Sequence, residues 1–293
     1  MKKFIFKIIL FLFSYLTLIV TLFFITPFNR NNFHDSLEQK KEHSKKSEIL
    51  ISGGSNVLFG IDSEVISKKT HFRTTNLGIA GGYGLKHIIS ILPETKSNQR
   101  VFIIPEYENF FDDNINGYST SLCWNIYYYP KNIIFLKFEQ IKKLFKLSHR
   151  FIKDNIIGFF LDTNTYDIRK IKNNGDYILI DDNQKDFEHH LINGELNNES
   201  VKYLKNVLKV KRHYYLLFPP ISESYYRLNY NKIISILKEF NEERNVLSNN
   251  FLQSVYPDSL FYDSSYHLRN YGKVLNTKRI SSLINNITLT EEQ

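Results

Sequence analysis

The chain has 293 residues, 42% hydrophobic and 23% charged, which excludes a disordered or collagen-like polymer and leaves room for one large domain or two small ones. A lone cysteine, Cys123, excludes an intramolecular disulfide and any zinc or iron–sulfur site built from several cysteines. The net charge is +8, but residues 1–46 hold eight Lys/Arg against three Asp/Glu, so the remainder is nearly balanced and carries no electrostatic footprint for nucleic acid.

Lys2, Lys3 and Lys7 precede an uncharged run over residues 8–28. As a helix this run measures about 31 Å, matching a hydrocarbon core of about 30 Å. It is longer than the apolar region of a signal peptide, and no Ala-x-Ala-like cleavage site follows. The expectation is therefore an uncleaved single-pass anchor in the cytoplasmic membrane, ended by Pro27 and Asn29. The basic flank places the N-terminus inside and the rest of the chain on the extracytoplasmic side, although Arg30, Lys40 and Lys41 reduce the charge asymmetry. Residues 1–30 thus read as basic end and anchor, 31–47 as a polar tether, and 48–293 as one α/β domain.

Within that domain, apolar runs alternate with glycine turns and amphipathic segments. Residues 48–52 read as a short buried strand closed by Gly53-Gly54, and 57–66 as a helix. A second strand at 74–79 is closed by Gly81-Gly82 and followed by a helix at 85–92. A third strand at 101–104 ends at Pro105, and a fourth at 213–218 ends at Pro219-Pro220. A helix at 233–240, a short fifth strand at 259–262 and a final helix at 271–283 complete the series. This alternation predicts a doubly wound, mostly parallel sheet with helices on both faces, in three layers. Residues 106–212 interrupt the rhythm and read as one long insertion, with an aromatic patch at 124–129, a basic amphipathic stretch at 138–151 and a polar section at 162–198. The basic stretch fits either a domain helix with a solvated face or a helix lying on a membrane surface.

Ligand sites in doubly wound sheets lie at the carboxyl ends of the strands, and three of these ends carry chemistry. Ser55 follows a strand and two glycines, which suits either an exposed hydroxyl at a helix N-terminus or a simple helix cap. Gly78-Ile-Ala-Gly-Gly-Tyr-Gly84 is a glycine-rich turn whose backbone N–H groups can approach a substrate oxygen, or an ordinary tight turn. Its spacing does not fit the dinucleotide fingerprint. Asp263-Ser-Ser-Tyr-His267 sets an acid close to a histidine near the C-terminus, an arrangement suited to general-base catalysis or to a plain surface loop. His189-His190 with Asp186 and Glu188 do not amount to a metal site, and no cofactor is called for.

The phrases Gly53-Gly-Ser-Asn56, Asn76-Leu-Gly-Ile-Ala-Gly-Gly-Tyr-Gly84 and Phe261-Tyr-Asp-Ser-Ser-Tyr-His-Leu268, in this order, resemble the SGNH (GDSL-like) hydrolase superfamily. The likeness is greatest to its membrane-anchored extracytoplasmic branch, which includes the SGNH proteins of alginate acetylation and of lipoteichoic-acid D-alanylation. It covers roughly residues 48–285 apart from the insertion. The resemblance implies a flavodoxin-like three-layer fold, Ser55 as nucleophile, His267 as general base, Asp263 as its partner, and Ser55, Gly82 and Gly84 in the oxyanion hole. Two positions depart from the family pattern. The acid lies four residues before His267 rather than three, where Ser264 stands, with Asp258 a more distant substitute. After the third strand the sequence reads Pro105-Glu-Tyr-Glu-Asn109, so that Asn109 is the candidate oxyanion amide but lacks its usual glycine, while Glu106 or Glu108 can meet a sugar hydroxyl.

The expected function is a membrane-anchored O-acyltransferase, most simply an O-acetyltransferase, modifying a cell-surface or secreted polysaccharide through an acyl-enzyme. A tethered carbohydrate esterase and a non-catalytic assembly protein on the same fold are the alternatives. One span cannot carry an acyl donor across a membrane, so a multi-spanning acyl-transfer partner is implied. Trp124, with Tyr127, Tyr128 and Tyr129, offers a sugar platform or the packing of the insertion.

Overall fold

The computed structural model describes residues 2–26, 36–161, 170–179, 183, 185–243 and 245–291. In chain order the elements are α1 (Lys2–Ile25), α2 (Leu37–Ser44), β1 (Ile49–Gly53), α3 (Ser55–Gly60), α4 (Ser63–Thr70), β2 (Thr74–Asn76), α5 (Leu85–Ser90), β3 (Arg100–Ile104), α6 (Ser119–Tyr128) and α7 (Phe138–Leu161). They continue with α8 (Asn198–Val210), β4 (Tyr214–Leu216), β5 (Ile221–Ser222), α9 (Glu223–Leu228), α10 (Tyr230–Phe240), β6 (Val255–Tyr256) and α11 (Asn270–Glu291). The chain divides into two units, Met1–Asn32 with Tyr118–Asp167, and Phe33–Gly117 with Ile168–Gln293.

The second unit is α/β. Its main sheet is parallel, in the order β2-β1-β3-β4. Side chains alternate along each strand, so the sheet feeds two cores. Leu50, Val101, Ile103, Tyr214 and Leu216 pack with residues of α5, α8 and α10. Ile49, Ile51, Phe102, Ile104 and Tyr215 pack instead with residues of α3, α4 and α11. Burial on both faces explains why these strands read as continuous apolar runs. The chain leaves β1 for β2 on one side and leaves β3 for β4 on the other, so the carboxyl ends of β1 and β3 flank the point where the winding reverses. Ligand crevices open at such points.

Several elements differ from expectation. The helix at 57–66 is two helices, because Ile61 is extended (φ −133°) and Asp62 starts a new turn by accepting from the Val65 N–H at 2.9 Å. The fifth strand at 259–262 does not form; Asp258–Leu260 is a 3-10 turn, and the short second sheet pairs β5 with β6. The segment read as a tether folds onto the α/β unit from Ser36 onward. Leu37 and Lys40 of α2 are fully buried, and the Gln99 amide donates to the carbonyls of Ser44 and Ser47 at 2.9 and 2.6 Å. The expected helix stop at Pro27 and Asn29 lies outside the described residues. The insertion is not one body: residues 118–161 belong to the first unit and the described residues 106–117 and 170–212 to the second.

The first unit is helical. Ile19 and Phe23 of α1 share a core with Leu122, Cys123 and Ile126 of α6 and with Leu144, Phe151 and Ile152 of α7. Within α1, Lys3–Ile25 spans 23 residues and is long and apolar enough to cross a membrane; among the described residues no other helix is. Trp124 packs in this unit, against Tyr127, Tyr128 and Phe151.

Candidate active site

Ser55 opens α3 directly after β1, with Gly54 extended at the cap position. It is the one residue between Ile49 and Gly60 that is only partly buried. Its Oγ donates to Glu106 Oε1 at 2.7 Å, and the Asn56 N–H donates to the same oxygen at 3.3 Å. Glu106 follows β3, so the two residues meet across the crevice between the carboxyl ends of β1 and β3. The carboxyl lies in a cradle that only glycine leaves open. A Cβ on Gly81 would come within 1.7 Å of Glu106 Oε2, and one on Gly54 within 2.4 Å of Oε1. Burial, reinforced by the negative field of Glu108, raises the Glu106 carboxyl above the usual carboxylate range against the opposing pull of its bond from Ser55.

Asp263 and His267 belong to one tight loop. Its ends are tied by the Tyr262 N–H donating to the His267 carbonyl at 2.8 Å and by a bridge between Phe261 and Leu268. Ser264 Oγ accepts from the Tyr266 and His267 N–H groups at 3.3 and 3.2 Å. Ser264 thus shapes the turn, and the acid one residue earlier reaches the ring: Asp263 Oδ1 lies 2.7 Å from His267 Nδ1. Asp258 is engaged elsewhere, accepting from the Ser224 N–H at 3.0 Å at the start of α9. His267 is buried against Phe59, with ring centroids 4.4 Å apart. Phe59 lies one helical turn beyond Ser55 on α3, and His267 acts electrostatically on Glu106. Ser55 and Glu106 are thus in contact, and the Asp263–His267 pair packs on the helix that Ser55 opens.

Gly81–Tyr83 form a 3-10 turn after β2, and Gly84 adopts φ +89°, a conformation open to glycine. Gly82 and Gly84 are both buried in this turn. Asn109 is fully buried, and its amide donates to the Glu106 carbonyl at 3.1 Å. The side chain from the β3 end that reaches Ser55 is thus the Glu106 carboxyl. Glu108 turns to another network. It accepts from the hydroxyls of Tyr225 and Tyr266 at 2.5 and 2.7 Å and pairs with His190 at 2.9 Å. Burial alone would push the Glu108 carboxyl up, but these three partners outweigh it and hold it below the usual range. The same bond raises His190 above the ordinary imidazole value. Tyr266, next to the candidate base, also accepts from the Tyr107 N–H at 3.2 Å.

No family model matches this chain, and no curated protein and no solved structure is similar to it at a significant level. Sequence reasoning did not foresee that Glu106 bonds Ser55, or that Tyr225, Tyr266 and His190 enclose Glu108. The available signal was the pair of carboxylates set inside the apolar run 101–111, where an unpartnered charge is costly to bury.

Proposed function

We propose that the chain is a membrane-anchored serine acyltransferase of SGNH type that acylates a cell-surface or secreted polysaccharide. The observation that carries the chemistry is the Asp263–His267 pair, joined at 2.7 Å and packed against the helix that begins with Ser55. With Nδ1 held by the carboxylate, Nε2 is the ring nitrogen that exchanges protons. Ser55 Oγ attacks the acyl carbon and its proton passes to His267. The donor's leaving oxygen takes that proton as the first ester breaks. A sugar hydroxyl then gives its proton to His267, its oxygen attacks the acyl-enzyme, and Ser55 leaves with the proton restored. Charge on the acyl oxygen is met by the Ser55 and Gly82 N–H groups, those of Tyr83 and Gly84 being spent on the carbonyls of Ala80 and Gly81 at 3.2 and 3.1 Å, and by Glu106 as a neutral acid donating through its own O–H. An ionised Glu106 would repel that charge, and burial with the field of Glu108 shifts the carboxyl toward its protonated form.

The polysaccharide, the acetyl group and a multi-spanning donor protein come from the likeness of the three motifs to the membrane-anchored SGNH branch. The long apolar helix α1 agrees with that setting. The test is labelling of the full-length protein with a fluorophosphonate probe, combined with polymer acetyl content in cells that express it. Labelling and acetylation are both lost in Ser55→Ala and His267→Ala. Unlabelled wild type, with acetylation indifferent to Ser55→Ala, overturns the reading. Rapid Ser55-dependent ester hydrolysis without a sugar acceptor assigns the same residues to an esterase.

A further inference from the structure

We infer that the helical unit at residues 118–161 is itself a membrane element, with α7 and the turn before it seated in the lipid leaflet around the C-terminal half of α1. The inference is independent of the serine chemistry.

Three faces can be told apart on α7 at about 100° per residue. Gln140, Leu144, Ser148, Phe151 and Asn155 form the buried face turned to the unit's own core. Lys142, Lys143, Lys146, Arg150 and Lys153, with Glu139 and Asp154, form an exposed charged face. Between these lies a third face of Phe138, Ile141, Phe145 and Ile156, which is apolar and exposed. A solvated surface helix has no use for this face. The Pro130–Phe135 turn ahead of α7 extends it, with Ile134 exposed to 74%, Phe135 to 64% and Phe138 to 69%.

Contacts with α1 lie beside this face. Phe145 packs edge-on against His149, whose Nε2 lies 2.7 Å from the Tyr15 hydroxyl, and Phe151 packs on Phe23. Tyr15 and Phe23 both fall inside the stretch of α1 that is apolar enough to cross a membrane. Once α1 is inserted, lipid surrounds this level of the unit, where Phe145 of the exposed apolar face touches the His149 that meets Tyr15. The Tyr15–His149 pair satisfies two polar groups that acyl chains could not. Trp124, Tyr127 and Tyr128 cluster near Phe24, close to the end of α1, where aromatic residues gather at a membrane–water boundary.

Trp124 is the only tryptophan in the chain, so its replacement by Phe gives a silent background. Phe138→Trp in that background, in full-length protein reconstituted into phosphatidylcholine–phosphatidylglycerol vesicles, reports on the exposed face. Lipids brominated on their acyl chains are expected to quench its emission, and aqueous iodide to leave it unchanged. Phe11→Trp reports insertion of α1 in the same way. Quenching of Phe138→Trp by iodide and not by bromolipid overturns the inference, because the face is then in water. Shielding from both quenchers also overturns it and assigns the face to a protein partner. A bromolipid-silent Phe11→Trp removes the premise, and the inference falls with it.

Discussion

Exchanging Glu106 for Gln replaces one carboxyl oxygen by an amide nitrogen and keeps the side chain's shape. In the wild type, Oε1 holds the Ser55 hydroxyl at 2.7 Å and the Asn56 N–H at 3.3 Å, and burial with the field of Glu108 raises the carboxyl. An acid raised in the folded state contributes stability fully below its unfolded value, about 4.3, and loses it as pH climbs through the folded value. Each unit of upward displacement corresponds to about 1.4 kcal/mol. Wild type should therefore lose stability as pH rises out of the ordinary carboxylate range, and Glu106→Gln should lack that slope. The rate follows the same proton. One donor to the acyl oxygen is worth about 3–4 kcal/mol, or about 10²–10³-fold. Acylation by wild type should fall by that order on the alkaline side, whereas the amide donates at every pH. The assay is the rate of fluorophosphonate labelling of full-length protein from about pH 5 to about pH 9, run beside thermal unfolding over the same range. Identical pH profiles for the two proteins would refute the reasoning. So would a Glu106→Gln variant as inert as Ser55→Ala at every pH, which would make Glu106 a base rather than a donor.

Asp263→Asn keeps the geometry of the loop but removes the charge that orients His267, and labelling should slow by up to about 10⁴-fold with little change in melting temperature. Gly81→Ala places a methyl on the Glu106 carboxyl; denaturant melts should show a loss of about 1–3 kcal/mol, largely relieved in the Gly81→Ala/Glu106→Ala double variant. Lys40 is fully buried with its ammonium on the Gly78 carbonyl at 2.5 Å, and desolvation brings it down to about 7 despite the attraction of Asp176. The unfolded chain then binds the extra proton between about 7 and about 10.4, so wild type should gain stability as pH rises across that window, and Lys40→Met should not, as read from melts over the same range.

The parallel strands and the glycine turns were legible because burial on both faces leaves unbroken apolar runs. Asp263 and His267 were legible because they are four residues apart. The contact between Ser55 and Glu106 was not. It joins residues 51 positions apart through a cradle defined by Gly54 and Gly81, and neither glycine reveals which side chain fills its space. Residues 36–47 read as a tether because α2 turns little but Leu37 inward as an apolar group. The lysine it buries is held by a carbonyl, and a buried lysine looks like a solvated one in sequence. The division of the insertion was hidden for a related reason. The apolar residues of 118–161 are shared among the helix core, contacts with α1 and an exposed face, and one pattern cannot separate three destinations.

Tyr266 has a consequence for the site. Its backbone sits beside His267, while its hydroxyl is fastened to Glu108 and to the Tyr107 N–H, both just past the strand end that also carries Glu106. The loop that bears His267 is thereby tied to the same strand end whose Glu106 holds the Ser55 hydroxyl.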